Sequence, residues 1–248
     1  MSALRDGTEY DDYIEAARNH SKGCGGVMRV APLALDGPWH KIEALDLEGA
    51  QLAAITHGHS LGYMPAAVLV HVINRIVFPP AGRAMPLKEI ILEARDTAAG
   101  IFEADAHLPE LVDIIDRAVE LSENGASDLD NIHQLGEGWV AEETLGIALY
   151  CALRHQNDFS AGVIAAVNHK GDSDSTGAVT GNILGALLGY AAMEAKWKRD
   201  LELSDVILEL ADDLCHGCQM SEYSPYRDPE WEEKYIKMHY RKNGGDQE

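Results

Sequence analysis

The spacing of apolar residues constrains this chain more than any other feature. From Leu47 onward they recur at helical intervals in run after run. The alternating, β-branched and aromatic pattern of a half-buried strand is nearly absent, and Phe, Trp and Tyr together make up only 6% of the residues. Helices are predicted at Leu47–Phe78, with a break in the Gly58–Pro65 region, and at Pro86–Ile101, Glu110–Glu123, Val140–Arg154, Ser160–Val167, Thr176–Lys196 and Leu201–His216. The breakers Pro79-Pro80, Gly82, Pro109, Asn124-Gly125 and Gly136–Gly138 fall between them. No repeat, low-complexity tract or Pro/Gly/Ser linker divides the 248 residues, so a single all-α domain is expected over 1–248. The charged stretch after Trp231 is expected to fray.

One predicted helix is unusual. In Gly177-Ala-Val-Thr-Gly181-Asn-Ile-Leu-Gly185-Ala-Leu-Leu-Gly189 a glycine returns every fourth residue. Each costs about 1 kcal/mol relative to alanine inside a helix. The stripe is therefore expected to lie at the centre of a bundle with another backbone packed closely along it.

Charge narrows the ligand. Lys and Arg number 20 against 41 Asp and Glu, a formal net charge of −21. Nucleic-acid binding needs a basic footprint, and anionic lipid surfaces attract the same kind of patch, so neither is an expected partner. An anionic ligand would be held locally, by a metal ion, backbone N–H groups or a few placed cations. The first 17 residues hold no apolar signal-peptide core, and the longest apolar stretch read from sequence, Ala178–Met193, is short of a membrane span. A cytoplasmic location and reduced thiols are expected for Cys24, Cys151, Cys215 and Cys218. Cys215-His-Gly-Cys218 has redox or zinc spacing but no companion pair.

Chemistry concentrates in four segments. Gly171-Asp172-Ser-Asp174-Ser175-Thr176, directly before the glycine-stepped helix, gathers two carboxylates and three hydroxyls within five residues. One carboxylate would suffice as an N-cap. Several together in a partly buried turn repel one another and call for a counter-charge, which a hard divalent cation with oxygen ligands supplies. Asn19-His-Ser21-Lys22-Gly23-Cys24-Gly25-Gly26-Val-Met-Arg29 is a glycine-rich loop whose backbone N–H groups can approach an anion, with Lys22 and Arg29 as added positive charge. It fits neither the triphosphate-binding loop nor the dinucleotide fingerprint, lacking Gly-Lys-Ser/Thr and a preceding strand. Thr56-His57-Gly58-His59-Ser60 offers imidazoles to a phosphate, to a metal, or simply to packing. In Gly136-Glu-Gly-Trp-Val-Ala-Glu142-Glu143, either final glutamate is a candidate general base or a first-turn complement to a helix dipole.

Together these segments resemble the ADP-ribosylglycohydrolase family, which includes the dinitrogenase-reductase-activating glycohydrolase and the ADP-ribosyl-arginine and ADP-ribosyl-serine hydrolases. The resemblance rests on Ser21–Leu33, Thr56–Tyr63, Gly138–Glu143 and Gly171–Gly177, and runs from about Asn19 to the Trp231–Tyr240 stretch. It implies a compact orthogonal helical bundle with a two-Mg²⁺ site that hydrolyses the bond between ADP-ribose and a protein side chain or small acceptor. Asp172, Asp174 and Ser175 match the family's C-terminal metal ligands. Ser21, Gly23, Cys24 and Gly25 match the loop along the diphosphate, and His57 matches a histidine near the phosphates.

The same comparison implies a fold lacking its N-terminal third, because the glycine-rich loop already stands at residue 21. The family's general base and the Thr-Asp-Asp half of its metal ligands would lie in that third, and Asp11-Asp12 has the wrong spacing to replace them. Two functions are therefore carried forward. One is an Mg²⁺-dependent ADP-ribosyl glycohydrolase acting on ADP-ribosylated protein. The other is a catalytically impaired fragment or ADP-ribose-binding module that needs the missing segment, a partner chain or self-association to cover its exposed face.

Overall fold

The computed structural model describes residues 19–35, 37, 38 and 41–216, together with 14, 17, 229, 232, 233 and 237. Among them are eleven α-helices and no strand: α1 (Gly25–Met28), α2 (Ile42–Ala54), α3 (Ser60–Val77), α4 (Leu87–Ile101), α5 (Leu108–Ser122), α6 (Asp128–Leu135), α7 (Ala141–Arg154), α8 (Phe159–Val167), α9 (Ser173–Leu188), α10 (Ala195–Lys198) and α11 (Ser204–His216). The fold is all-α, as the periodicity requires. The described residues fall into two units, Met1–Met193 and Glu194–Glu248.

In the first unit α3 and α7 form the centre, because their sequences are apolar on every side. Residues 61–74 of α3 and most of α7 are buried, the pattern of a helix enclosed by others rather than lying on a surface. α2 and α4 pack on α3, α5 and α8 pack on α7, and α9 touches α3, α7 and α8. By length and composition α3, rather than Ala178–Met193, is apolar enough to cross a membrane, with a mean hydropathy of 1.3, yet 78% of it is buried within this bundle. The long predicted Leu47–Phe78 segment is two helices, broken at residues 55–59, where a Cβ on Gly58 would stand 2.5 Å from the Asn19 carbonyl oxygen. That close approach anchors the glycine-rich loop.

The glycine-stepped helix differs from expectation. α9 stops at Leu188, where Gly189 takes φ +78°. No backbone packs along the stripe: a Cβ on Gly177 would meet Val167 Cγ1 at 2.6 Å, one on Gly185 would meet Met193 Cε at 3.1 Å, and one on Gly181 would meet nothing within 4 Å. What α9 buries is a face running from its start to its third turn, with Ser175, Thr176, Gly177, Val179, Thr180, Ile183 and Leu184 enclosed.

The second unit contains α10 and α11. Ile207, Leu208, Leu210 and Leu214 of α11 are exposed among acidic residues. Cys215 is exposed near the end of α11, whereas Cys218, Asp11-Asp12 and most of Trp231–Tyr240 lie outside the described residues.

Candidate functional site

The glycine-rich loop is fixed by contacts with two distant segments. Asn19 Oδ1 accepts hydrogen bonds from Ser21 N (3.1 Å) and Gly58 N (2.8 Å), and His59 N donates to the Ser21 carbonyl at 3.2 Å. On the other side Gly23 bridges to Val140 and Ala141 N donates to the Lys22 carbonyl at 2.9 Å. Gly62 is required here, since a Cβ would stand 2.5 Å from the Ser21 carbonyl oxygen. Gly23 N donates to Ser21 Oγ at 3.3 Å. The loop then turns into α1.

His57 lies against the glycines of this loop. Cβ atoms at Gly23 and Gly25 would stand 3.5 and 3.3 Å from its Nε2, and its Nδ1 pairs with Thr56 Oγ1 at 2.7 Å. Burial, and then the charge of Arg29, lower its pKa below the ordinary imidazole value, so it is neutral at pH 7. His59 instead serves as the N-cap of α3, its Nδ1 accepting from Leu61 N at 3.1 Å.

The loop's two cations are engaged by other groups of the protein. Lys22 pairs with the buried Glu142, and Arg29 donates to the Leu52 carbonyl at 2.7 Å near the end of α2. The second oxygen of Glu142 is buried without a hydrogen-bond partner. Glu143 has a different role. Its Oε2 accepts from the backbone N–H groups of Glu137 and Gly138, both at 3.0 Å, and so holds the turn in which Gly136 and Gly138 adopt φ +128° and +81°. Both candidate bases are thus occupied by structural contacts.

That turn carries the acidic segment. Asp172 N donates to the Glu137 carbonyl at 2.7 Å, and a Cβ on Gly171 would come within 1.7 Å of the same oxygen. His169 stiffens the approach: Gly171 N donates to its Nδ1 at 3.0 Å, which leaves its Nε2–H facing Thr176 Oγ1 at 2.9 Å. A cavity of about 510 Å³ opens beside this seam, lined in part by Leu129, Ile132, His133, Glu137 and Lys170.

Asp172 occupies the N-cap position of α9, but no side-chain capping hydrogen bond forms there. Its Oδ2 instead accepts from Ser175 Oγ at 2.8 Å and from the thiol of Cys24 at 3.0 Å, and Cys24 Sγ lies 3.1 Å from Ser175 Oγ. Burial pushes the Asp172 carboxyl upward. Its interaction with Asp174 and the hydrogen bonds donated by Cys24 and Ser175 outweigh that and leave it below the ordinary carboxylate value. The Cys24 thiol is raised, mainly by burial. Asp174 is exposed, while Asp172 and Ser175 are buried.

The structure therefore brings Cys24 of the predicted loop onto Asp172 and Ser175 of the predicted metal turn, 148 residues away, and sets His57 against Gly23 and Gly25. Sequence reasoning misses the thiol's position beside the carboxylate and the anchoring role of Glu143; the positive-φ glycines at 136 and 138 are the available signal for the second.

A cation at this turn would find an oxygen-rich donor set, two carboxylates and a hydroxyl, which suits a hard divalent ion. Among the described residues no three His, Cys, Asp or Glu side chains form a complete metal cage. None of Lys, Arg or His pairs with Asp172 or Asp174 among them either, so the anionic carboxylate lacks a protein counter-charge.

An all-helical scaffold that sets a glycine loop on a carboxylate turn matches one family. The sequence model of the ADP-ribosylglycohydrolases covers residues 1–224, and the chain belongs to the ADP-ribosylglycohydrolase family. It is 24% identical over 219 residues to the ADP-ribosylhydrolase ARH3 of Homo sapiens, covering 77% of this chain and 58% of that protein. Against ARH3 of Gallus gallus it is 25% identical over 227 residues, covering 82% and 61%. The uncharacterized protein YegU of Escherichia coli (strain K12) is 25% identical over 205 residues, covering 82% and 60%. The chain spans about three fifths of the length of these relatives.

Proposed function

We propose that this chain carries out, or contributes the nucleotide-holding half of, divalent-cation-dependent hydrolysis of the glycosidic bond between ADP-ribose and a protein side chain or small acceptor. The observation that carries the reading is the convergence of the glycine loop and the Asp172–Ser175 turn at the Cys24–Asp172 contact, on a chain of this family. The names of the ARH3 relatives point to the same substrate class.

Asp172, Asp174 and Ser175 would hold Mg²⁺, which when bound supplies positive charge beside the ribose and diphosphate. Backbone N–H groups of the loop other than those of Ser21 and Gly23, which are bonded within it, would line the diphosphate, because Lys22 and Arg29 are engaged elsewhere. Neutral His57, set against the loop glycines, would keep that loop in place and offer a polar edge to the phosphates. The substrate would be an ADP-ribosylated cytoplasmic protein or free ADP-ribosyl compound.

A second reading, an ADP-ribose-binding module without turnover, is favoured by one observation: Glu142 and Glu143, the candidate bases in this chain, are held by Lys22 and by backbone N–H groups. Release of free ADP-ribose from ADP-ribosylated arginine and serine peptides, measured with Mg²⁺ and repeated with Asp172→Asn, separates the two. Mg²⁺-dependent release that Asp172→Asn abolishes supports hydrolysis. Calorimetric binding of ADP-ribose without release supports the binding module, and neither release nor binding overturns both.

A further inference from the structure

We propose that Cys24 is an additional ligand of the cation site, so that this centre takes a thiophilic divalent ion more readily than an all-oxygen site would. The inference rests on the metal role given above to Asp172, Asp174 and Ser175, and it adds a donor and a class of ion to it.

Three donor atoms form a nearly equilateral face: Asp172 Oδ2 to Ser175 Oγ is 2.8 Å, Asp172 Oδ2 to Cys24 Sγ is 3.0 Å, and Cys24 Sγ to Ser175 Oγ is 3.1 Å. Adjacent oxygen donors on an octahedral ion at about 2.1 Å stand about 3 Å apart. A sulfur at about 2.3 Å widens the edge only slightly. One ion can therefore cap this face with little movement of the three side chains. The face also needs a cation. Asp172 is 9% exposed, and among the described residues no Lys, Arg or His pairs with it. A buried carboxylate in that position is costly until a positive charge arrives.

Cys24 is placed by the backbone rather than by chance of rotamer. The Gly23–Val140 bridge and the Ala141 N to Lys22 O bond fix the residues just before it, and α1 begins just after it. Coordination releases the thiol proton to solvent, and the resulting thiolate–metal bond is strong for Cd²⁺, Zn²⁺ and Co²⁺ and weak for Mg²⁺. The expected signature is thus a change in ion preference, independent of any turnover.

The test uses the full chain with Cys215 and Cys218 replaced by Ser, because the Cys-His-Gly-Cys pair would itself bind cadmium; Cys151 is fully buried in α7. Titration with Cd²⁺ is expected to raise the ultraviolet thiolate-to-cadmium band to saturation at one equivalent. Cys24→Ser should abolish the band and lower calorimetric Cd²⁺ affinity about tenfold or more, with a much smaller effect on Mg²⁺. Cys24→Ala serves as a second variant. In the unaltered chain, Cd²⁺ should protect Cys24 from alkylation, read by peptide mapping, which requires no variant to fold. Cadmium heat that Asp172→Asn removes, appearing without a sulfur band or without protection of Cys24, overturns the inference and leaves the metal site standing. No heat from either Cd²⁺ or Mg²⁺ overturns the metal site and the inference together.

Discussion

Replacing Gly171 with alanine is the sharpest probe of how the acidic turn is held. The added Cβ would lie 1.7 Å from the Glu137 carbonyl oxygen and 2.5 Å from its carbon, both backbone atoms. Real contacts of this kind stay beyond 3.0 Å, so one side of the seam must retreat by more than an ångström. That movement breaks the 2.7 Å bond from Asp172 N to the same oxygen, a loss of about 1 kcal/mol. Overpacking adds about 1–3 kcal/mol, and the reduced freedom of the unfolded chain returns less than about 1 kcal/mol. The net cost is about 2–3 kcal/mol. In a chain of this size each kcal/mol shifts the melting temperature by about 2–4 °C, so a drop of about 5–10 °C is expected by calorimetry, accompanied by weaker Mg²⁺ binding because Asp172 moves with the seam. Gly181→Ala is the control: no atom lies within 4 Å of its would-be Cβ in mid-α9, and it should gain up to about 1 kcal/mol. A Gly171→Ala protein melting as the parent does would refute the tight seam and the positioning of Asp172 built on it.

Two further perturbations test the surroundings. Glu143→Ala removes the acceptor of two backbone N–H groups in the 136–138 turn and should cost about 2–3 kcal/mol in urea denaturation, with Glu143→Gln keeping part of it; a loss under about 0.5 kcal/mol would place the turn's stability elsewhere. Asp46, buried in α2, has its carboxyl raised chiefly by burial, against the hydrogen bond and charge of His71 and the charge of Arg75, with Glu43 pushing the same way as burial. The folded state therefore holds this proton more tightly than the unfolded one, so the contribution is full below the ordinary carboxylate pKa and is lost as pH rises through the folded value. Urea denaturation between about pH 4 and 7 should show that decline, and Asp46→Asn should flatten it; parallel profiles for the two proteins would contradict the assignment.

Much of this architecture is readable from residue spacing because helices follow from local periodicity. The starts of α7 and α8 and the breaks after Phe78 and around Gly136 are all legible. The short α6 is not, because Asp128–Leu135 is polar and only Ser127, accepting from Asp130 N, marks it as a helix start. The glycine stripe misleads for a related reason. Periodicity shows which face a residue occupies, whereas the atoms that meet that face come from elsewhere in the chain; a side chain of Val167 and one of Met193 are what Gly177 and Gly185 accommodate. Of the site, residue types and order identify Asp172 and Ser175 as a unit. Their meeting with Cys24 joins positions 148 and 151 residues apart, a separation that no local pattern encodes.

The fate of the loop's charges bears most directly on how an acidic protein can hold an anionic ligand. Lys22 and Arg29 are natural candidates to neutralise a diphosphate, but the first is drawn onto Glu142 and the second onto the carbonyl end of α2. The Lys22 side chain is 38% exposed, so solvent screens the pair and it contributes no more than about 1 kcal/mol, but swinging Lys22 away would leave the buried Glu142 carboxylate without its partner cation. With a chain charge of −21 and both loop cations engaged, the function proposed above draws its attraction for a diphosphate from backbone N–H groups and from an ion at Asp172. Nucleotide binding should accordingly depend on divalent cation far more than on Lys22, and the order of addition in calorimetry, ion before nucleotide or the reverse, reads that dependence directly. Equal ADP-ribose affinity with and without divalent ion would show that the loop alone carries the charge, and would remove the reason for an anionic Asp172 at this position.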